Sequence, residues 1–438
     1  MESLQVITLG CSKNKVDTEH ILAQLEGHYE ILPEDYVGDV DVMLINTCGF
    51  IGDAKEESIQ AILEQVARKE NGEIGKIFVF GCLSQRYMSD MPSLIPEVDS
   101  WFGARDFNPI LKALGVDSKI CPSQRLLSTP SHYAYLKISE GCDRRCSYCA
   151  IPYIRGAHKS VPIEDLVNEA RALADKGVKE LIVIAQDTTY YGLDIYKRRA
   201  LAELLQRLSE VDGIEWIRIH YSYPADFPDD VLEQMASNPK VCKYMDIPLQ
   251  HISDIVLDNM HRHVDGAWTR SLIKKMRERV PGVAIRTTMI VGHPGEGEKE
   301  FSELLDFVKE ARFERLGAFT YSEEEGTWGA NNLEDDLSQD IKDARLDELM
   351  TLQSQISLDC NLARVGSEIK VIIDDFSDGV FVCRSEFDSP EVDGEILVKY
   401  DSETFAGADP YSFIGDFILV KVTGADEYDL IAQAVEIL

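Results

Sequence analysis

Three cysteines stand within the run Cys142-Asp143-Arg144-Arg145-Cys146-Ser147-Tyr148-Cys149, spaced C-x3-C-x2-C. Three thiolates this close can wrap one face of a four-iron cluster and leave the fourth iron open to an outside ligand. Zinc ribbons and ferredoxins use other spacings and need a fourth cysteine, which does not follow nearby. A second trio, Cys11, Cys48 and Cys82, recurs at intervals of 37 and 34 residues. Any one of these could be a small apolar residue at a strand end. Three at equivalent ends suggest a shared ligand, and three thiolates without a nearby histidine suit a cluster with one open iron better than a closed zinc site. Cys121, Cys242, Cys360 and Cys383 have no partner spacing and read as ordinary buried residues.

The elements that must position the spaced trio are legible around it. LQVITLGC, DVMLINTCGF and GKIFVFGC read as buried parallel strands, each running to a cysteine. Between the second and third, Ile59, Ile62, Leu63 and Val66 fall on one helical face, with Asp53 as expected N-cap and Glu56 in capping-box position. Between the first and second, Ile21, Leu22 and Leu25 lie on one face before Gly27. The expectation is an open parallel α/β sheet over residues 1–117, with the three thiols where such sheets bind ligands, at the strands' carboxyl ends.

After the linker-like PSQRLLSTPSH, HYAYLKISEGC and five later runs (KELIVIAQDTT, IEWIRIHYSYP, YMDIPLQHI, VAIRTTMIVGHPGE, RLGAFTYSEEEGT) give six β/α units over 128–358. Polar residues gather where these strands end: Gln186, Asp187 and Thr188; Tyr221 and Ser222; Gln250 and His251; Gly292; Ser322 and Glu323. A parallel barrel carries its site at that face. His261 and His263 read as a solvated turn rather than a metal pair. After a helix bearing Leu346, Leu349, Leu352 and Ile356, short alternating strands over 361–438 suggest a small antiparallel β-barrel of the OB type.

Charge bounds the partners. Of 438 residues, 44 are Lys or Arg and 77 Asp or Glu, a net charge of −33, which repels phosphate backbones and favours a basic protein or a small cofactor. The last module has five bases against 17 acids, a surface suited to a basic protein or simply a solvated acidic face. No apolar stretch is long enough to span a membrane, so the expected location is the cytoplasm, with no membrane or DNA partner.

The C-x3-C-x2-C motif, with Tyr148 before its last cysteine, resembles the signature of the radical S-adenosylmethionine superfamily. Together with LGCSKNKVDTE, INTCGFI, AQDTTYYG, YMDIPLQHISD, RTTMIVGHPGE and RSEFDSPEVDG, the chain resembles the methylthiotransferases along nearly its whole length, on the branch that modifies a small-subunit ribosomal protein rather than tRNA. The resemblance implies a partial (β/α)6 barrel, a C-terminal TRAM domain and two [4Fe-4S] clusters, one on Cys142, Cys146 and Cys149 and one on Cys11, Cys48 and Cys82. It further implies S-adenosylmethionine on the open iron near Tyr148, with Gln186, Asp187, Gln250 and Gly292 as candidate contacts. The implied reaction is β-methylthiolation of an aspartate in ribosomal protein twelve of the small subunit, a basic protein. A 5′-deoxyadenosyl radical abstracts the hydrogen, the Cys11/Cys48/Cys82 cluster gives sulfur, a second S-adenosylmethionine gives the methyl group, and a flavodoxin or ferredoxin type donor supplies electrons. Ser12 stands where proline is more usual, and His293 where phenylalanine is expected. The competing readings are a tRNA methylthiotransferase, disfavoured by the acidic C-terminal module, and a non-catalytic iron-sulfur redox protein.

Overall fold

The computed structural model describes residues 1–117, 121 and 123–438; Pro122, the first residue of the linker-like segment, lies outside them. The first sheet is wholly parallel in the order β2-β1-β3-β4-β5, with β1 Glu2–Thr8, β2 Tyr29–Ile31, β3 Val40–Thr47, β4 Ile74–Gly81 and β5 Ser100–Trp101. Alternate side chains explain its two covers. Val42, Leu44, Phe78 and Phe80 pack on Ile21, Leu22 and Leu25 of the Ser12–Leu25 helix, while Met43, Ile45, Ile77 and Val79 pack on Ile62 and Val66 of the Gly52–Glu70 helix. That second helix begins two residues earlier than expected. Ile51 is its N-cap, no side chain caps it, and Asp53 lies in the first turn, where its charge still favours the helix dipole.

Six parallel strands form the centre in sequential order: β6 Tyr133–Lys137, β9 Glu180–Ile184, β10 Trp216–Ile219, β11 Val241–Asp246, β12 Ala284–Val291 and β13 Arg315–Thr320. No pairing joins β13 to β6, so this is the expected partial barrel. A short antiparallel pair, β7 Ser139–Glu140 with β8 Lys159–Ser160, frames the C-x3-C-x2-C loop. The last domain is a closed five-stranded barrel in the order β14-β15-β16-β18-β17 (Glu368–Ser377, Val380–Ser385, Ile396–Lys399, Leu430–Ile437 and Phe417–Ala425). It departs from the all-antiparallel expectation in one pair: β16 and β18 run parallel. Of the four leftover cysteines, Cys242 and Cys383 are buried as expected, but Cys121 and Cys360 are partly exposed. Among the described residues no helix is long and apolar enough to cross a membrane.

The C-terminal barrel seals the amino ends of the central strands. Trp216, Cys242, Tyr244 and Ala284 pack against Ile372 and Phe417. Beside them Glu180 takes Arg218 and Arg384, each at 2.8 Å, and Arg384 also holds Asp374, which in turn meets His132. The segment 385–394 reaches up from this contact. Asp388 pairs with Arg315, Asp393 with Arg286 and the Tyr244 hydroxyl, and Ser389 lies 2.8 Å from His220 Nε2. This amends the charge reading: Asp374, Asp388 and Asp393 answer the protein's own arginines and do not face a partner.

Arg384→Met strips Asp374 of its guanidinium and Glu180 of one of two. The expected cost is about 3–5 kcal/mol, the scale of breaking a buried ion pair from one side, read as a lower urea midpoint. Lys370→Met removes a half-exposed pairing with Glu215 at 3.9 Å and a cation–ring contact 4.0 Å from the centre of Phe417, and the expected change is about 1 kcal/mol or less.

Candidate active site

Strands β1, β3 and β4 are neighbours in register, Ile7 beside Ile45 and Thr47 beside Gly81, so the turns that follow them lie side by side. Cys11 caps the Ser12–Leu25 helix, Cys48 follows β3, and Cys82 opens the Cys82–Arg86 helix. The first two turns are in close contact: a Cβ on Gly10 would sit 2.9 Å from the Cys48 sulfur. The turns are held by side chains. Asn14 donates to the carbonyls of Leu9 at 2.8 Å and Thr47 at 3.2 Å, while the Ser58 hydroxyl both accepts from the Cys48 N–H and donates to its carbonyl, each at 3.0 Å. Burial, and then the neighbouring thiols, push Cys48 up and Cys82 up to about 11, opposed by Arg155. These thiols are therefore protonated at neutral pH, and a metal that binds them must displace the protons.

The second trio is set by backbone contacts across its loop. The Cys142 N–H donates to Gly156 at 3.0 Å, Ser147 donates to Met260 at 3.0 Å and its carbonyl accepts from Gly329 at 2.7 Å. Gly141, at φ +78°, must be glycine because a Cβ there would fall on the Ala157 carbonyl. Burial pushes Cys142 up to about 12 and Cys149 higher still. Two arginines serve this loop. Arg262 Nη1 lies 3.5 Å from both the Cys146 sulfur and the Tyr148 hydroxyl, and Arg144 binds Asp187 at 2.6 Å. Tyr223 lies under both, with the Arg144 and Arg262 guanidinium carbons 4.1 and 4.3 Å from its ring centre.

One arginine on the segment that follows the second trio reaches the first. Arg155, in the short Ile151–Arg155 helix just past Cys149, points Nε at the Cys82 sulfur at 3.2 Å and donates to Asn14 at 2.6 Å, Asp17 at 2.7 Å and Glu140 at 3.1 Å. Cys82 also packs on Ala150 and Ile154 of that segment. Lys55 and Arg86 close the same junction from the other side, each 2.8 Å from Glu324.

At the carboxyl ends of the barrel strands, Gln186 donates to Glu140 at 2.7 Å, but its Oε1 is buried without a partner, as are Ser222 Oγ, Gln250 Oε1 and His293 Nε2. Asp187 is engaged by Arg144 and by the N–H and hydroxyl of Thr189. The Gly292 N–H donates to Glu296, whose carboxylate also holds Arg345 and His251. His293 stands edge-on to Tyr148 and Tyr321, and burial lowers it to about 4, so it is neutral. Orphaned buried polar atoms at this face are what a polar ligand would satisfy, so the residues present fit S-adenosylmethionine. Among the described residues no three His, Cys, Asp or Glu side chains stand close enough to share one metal ion.

Arg155, Arg262, Arg144 and Asn14 did not emerge from the spacing of cysteines. Arg262 sits between His261 and His263, where the turn sets both histidines at positive φ and leaves the arginine 3 % exposed. An arginine two residues from an apolar helix end is a faint signal, and nothing in periodicity says that it turns inward.

Residues 3–103 match the uncharacterized protein family UPF0004, 136–308 the radical SAM superfamily, and 365–435 the TRAM domain. The chain is 51 % identical over 433 residues to the ribosomal protein uS12 methylthiotransferase RimO of Phocaeicola vulgatus, covering 98 % of this chain and 99 % of that one. It is 52 % identical over 435 residues to the protein of the same name from Cytophaga hutchinsonii, covering 99 % and 98 %. Among solved structures it resembles the radical S-adenosylmethionine methyltransferase TsrM of Kitasatospora setae with a TM-score of 0.54 at 13 % identity, over 73 % of this chain and 75 % of that one. That likeness speaks for the fold alone. With three domains in this order and half of all residues shared along the full length, the chain belongs to the RimO family of ribosomal protein uS12 methylthiotransferases, within the radical SAM superfamily.

Proposed function

We propose that the protein is a radical S-adenosylmethionine methylthiotransferase that β-methylthiolates an aspartate of ribosomal protein uS12, using two [4Fe-4S] clusters held by Cys142, Cys146 and Cys149 and by Cys11, Cys48 and Cys82. The single observation that carries the two-cluster reading is the junction at Arg155, which touches Cys82 from a helix that begins two residues after Cys149. The clusters, when bound, supply an electron for reductive cleavage of S-adenosylmethionine on one side and sulfur on the other.

The protein's own residues have the following tasks. Tyr148, Gln186, Gln250 and the Gly292 turn line the place for S-adenosylmethionine, with Tyr148 and His293 offering ring faces and edges to an adenine. Asp187 acts one step back, fixing Arg144 against Tyr223. Arg144, Arg262 and Arg155 bring fixed positive charge beside Cys142, Cys149 and Cys82, opposing the burial that raises these thiols. The C-terminal barrel, packed over the amino ends of the central strands, closes that end of the site to water. An acidic chain suits a basic ribosomal protein as substrate, and the electron donor is of the flavodoxin or ferredoxin class.

Iron and acid-labile sulfide after anaerobic reconstitution test the cluster count: about eight irons per chain are expected, falling to about four in the Cys142/Cys146/Cys149→Ala variant. Four falling to none would refute the N-terminal cluster. The trios are also expected to separate by function. Cys146→Ala abolishes 5′-deoxyadenosine formation, whereas Cys48→Ala retains it and loses methylthiolation. For the substrate, mass spectrometry after incubation with recombinant uS12 or with total tRNA is expected to show the methylthio mass on uS12; a gain on tRNA alone would overturn the assignment.

A further inference from the structure

One buried cation near the thiols has no anion. Lys13 lies two residues past Cys11 and is 8 % exposed, yet among the described residues its ammonium makes no ion pair and no hydrogen bond. It rests 3.1 Å above the ring centre of Tyr221, which stands at the carboxyl end of β10. A ring face offsets part of the cost of taking an ammonium out of water, but supplies no counter-charge. The acids of this region are already engaged. Glu391 is held by Lys15 at 2.6 Å and by the hydroxyls of Tyr135 at 3.1 Å and Tyr133 at 3.4 Å, and Asp17 by Arg155 and Lys137. Asp246 accepts from the Tyr221 N–H and pairs with Arg286.

Resting on the uS12 reading above, we propose that Lys13 receives the side-chain carboxylate of the target aspartate and thereby sets which residue of the substrate is modified. The position suits the task. Lys13 belongs to the turn that carries Cys11, while the ring beneath it belongs to the barrel mouth, so a carboxylate held there stands where the first trio's turn meets the barrel. The β-carbon to be modified is one bond from that carboxylate, and fixing the carboxylate confines the β-carbon. Asparagine has the same shape without the charge, and a lone ammonium discriminates against it.

The test measures the affinity of reconstituted holoenzyme for uS12 and for uS12 with the target Asp→Asn, using wild type, Lys13→Met and Lys13→Arg; iron per chain reports folding. Wild type is expected to bind the aspartate form about ten-fold or more tightly than the asparagine form, as one charge-assisted bond to a carboxylate allows. Lys13→Met is expected to lose that preference by weakening only the aspartate form, and Lys13→Arg to restore part of it. Equal weakening of both forms by Lys13→Met, or an undiminished preference, would overturn the role of Lys13 while wild type still modified uS12. A wild type that leaves uS12 unmodified would remove the functional reading and this one together.

Discussion

The guanidinium of Arg155 is the contact on which the rest of the structure depends. It is 4 % exposed and ties together three things that the chain keeps far apart: the Cys82 turn of the first sheet, Asn14 and Asp17 of the first helix, and Glu140 in the strand pair around the C-x3-C-x2-C loop. A buried arginine is held only while its partners stay in place, since removing one side of such a set leaves a charge without water or counter-ion. Asn14 passes the constraint onward, because the same side chain that accepts from Arg155 donates to the turns at Leu9 and Thr47. The geometry of one thiol trio is thus referred directly to the segment that carries the other.

The net charge of −33 conceals an opposite local pattern. Arg144 and Arg262 both lie against the Tyr223 ring at the second trio, Arg155 lies on Cys82, and Lys13 stands on Tyr221. The acids in turn divide into two sets. Asp374, Asp388 and Asp393 are spent on Arg384, Arg315 and Arg286 at the sealed end of the barrel, so the attraction for a basic partner has to come from the acids that remain outside.

Much of this was legible in the sequence because it depends on period and spacing. A parallel sheet repeats a strand and a helix at near-constant length, so cysteines recurring at intervals of 37 and 34 residues had to fall at equivalent strand ends. Alternation gave the small barrel in the same way, although it could not give the one parallel pair, β16 with β18, since a strand's pattern does not say which neighbour it meets. What stayed hidden was inward-facing charge. Arg262 between two histidines, and Asp388 and Asp393 in an acidic stretch, carry the composition of solvated loops; their burial follows from partners on other elements far away in the chain. Asp53 failed as a cap for a local reason, because the helix starts at Gly52 and leaves Ile51 in the capping place.

The sheet and the barrel place their thiols by one rule, at the carboxyl ends of parallel strands, and the decisive feature is that these two ends meet. Cys82 packs on Ala150 and Ile154, Lys55 and Arg86 reach Glu324 beyond β13, and Lys13 covers Tyr221 beyond β10. The third domain does the converse and closes the barrel at its amino ends. Two strand-end surfaces, each with its own thiols and cations, thus meet. Neither surface is enclosed on its own: the open parallel sheet lacks a wall above its strand ends, and the six-stranded barrel lacks one between β13 and β6. Assembly of the site is therefore a property of the domain junction, and residues such as Asn14 and Arg155 belong to the site as fully as the cysteines they hold.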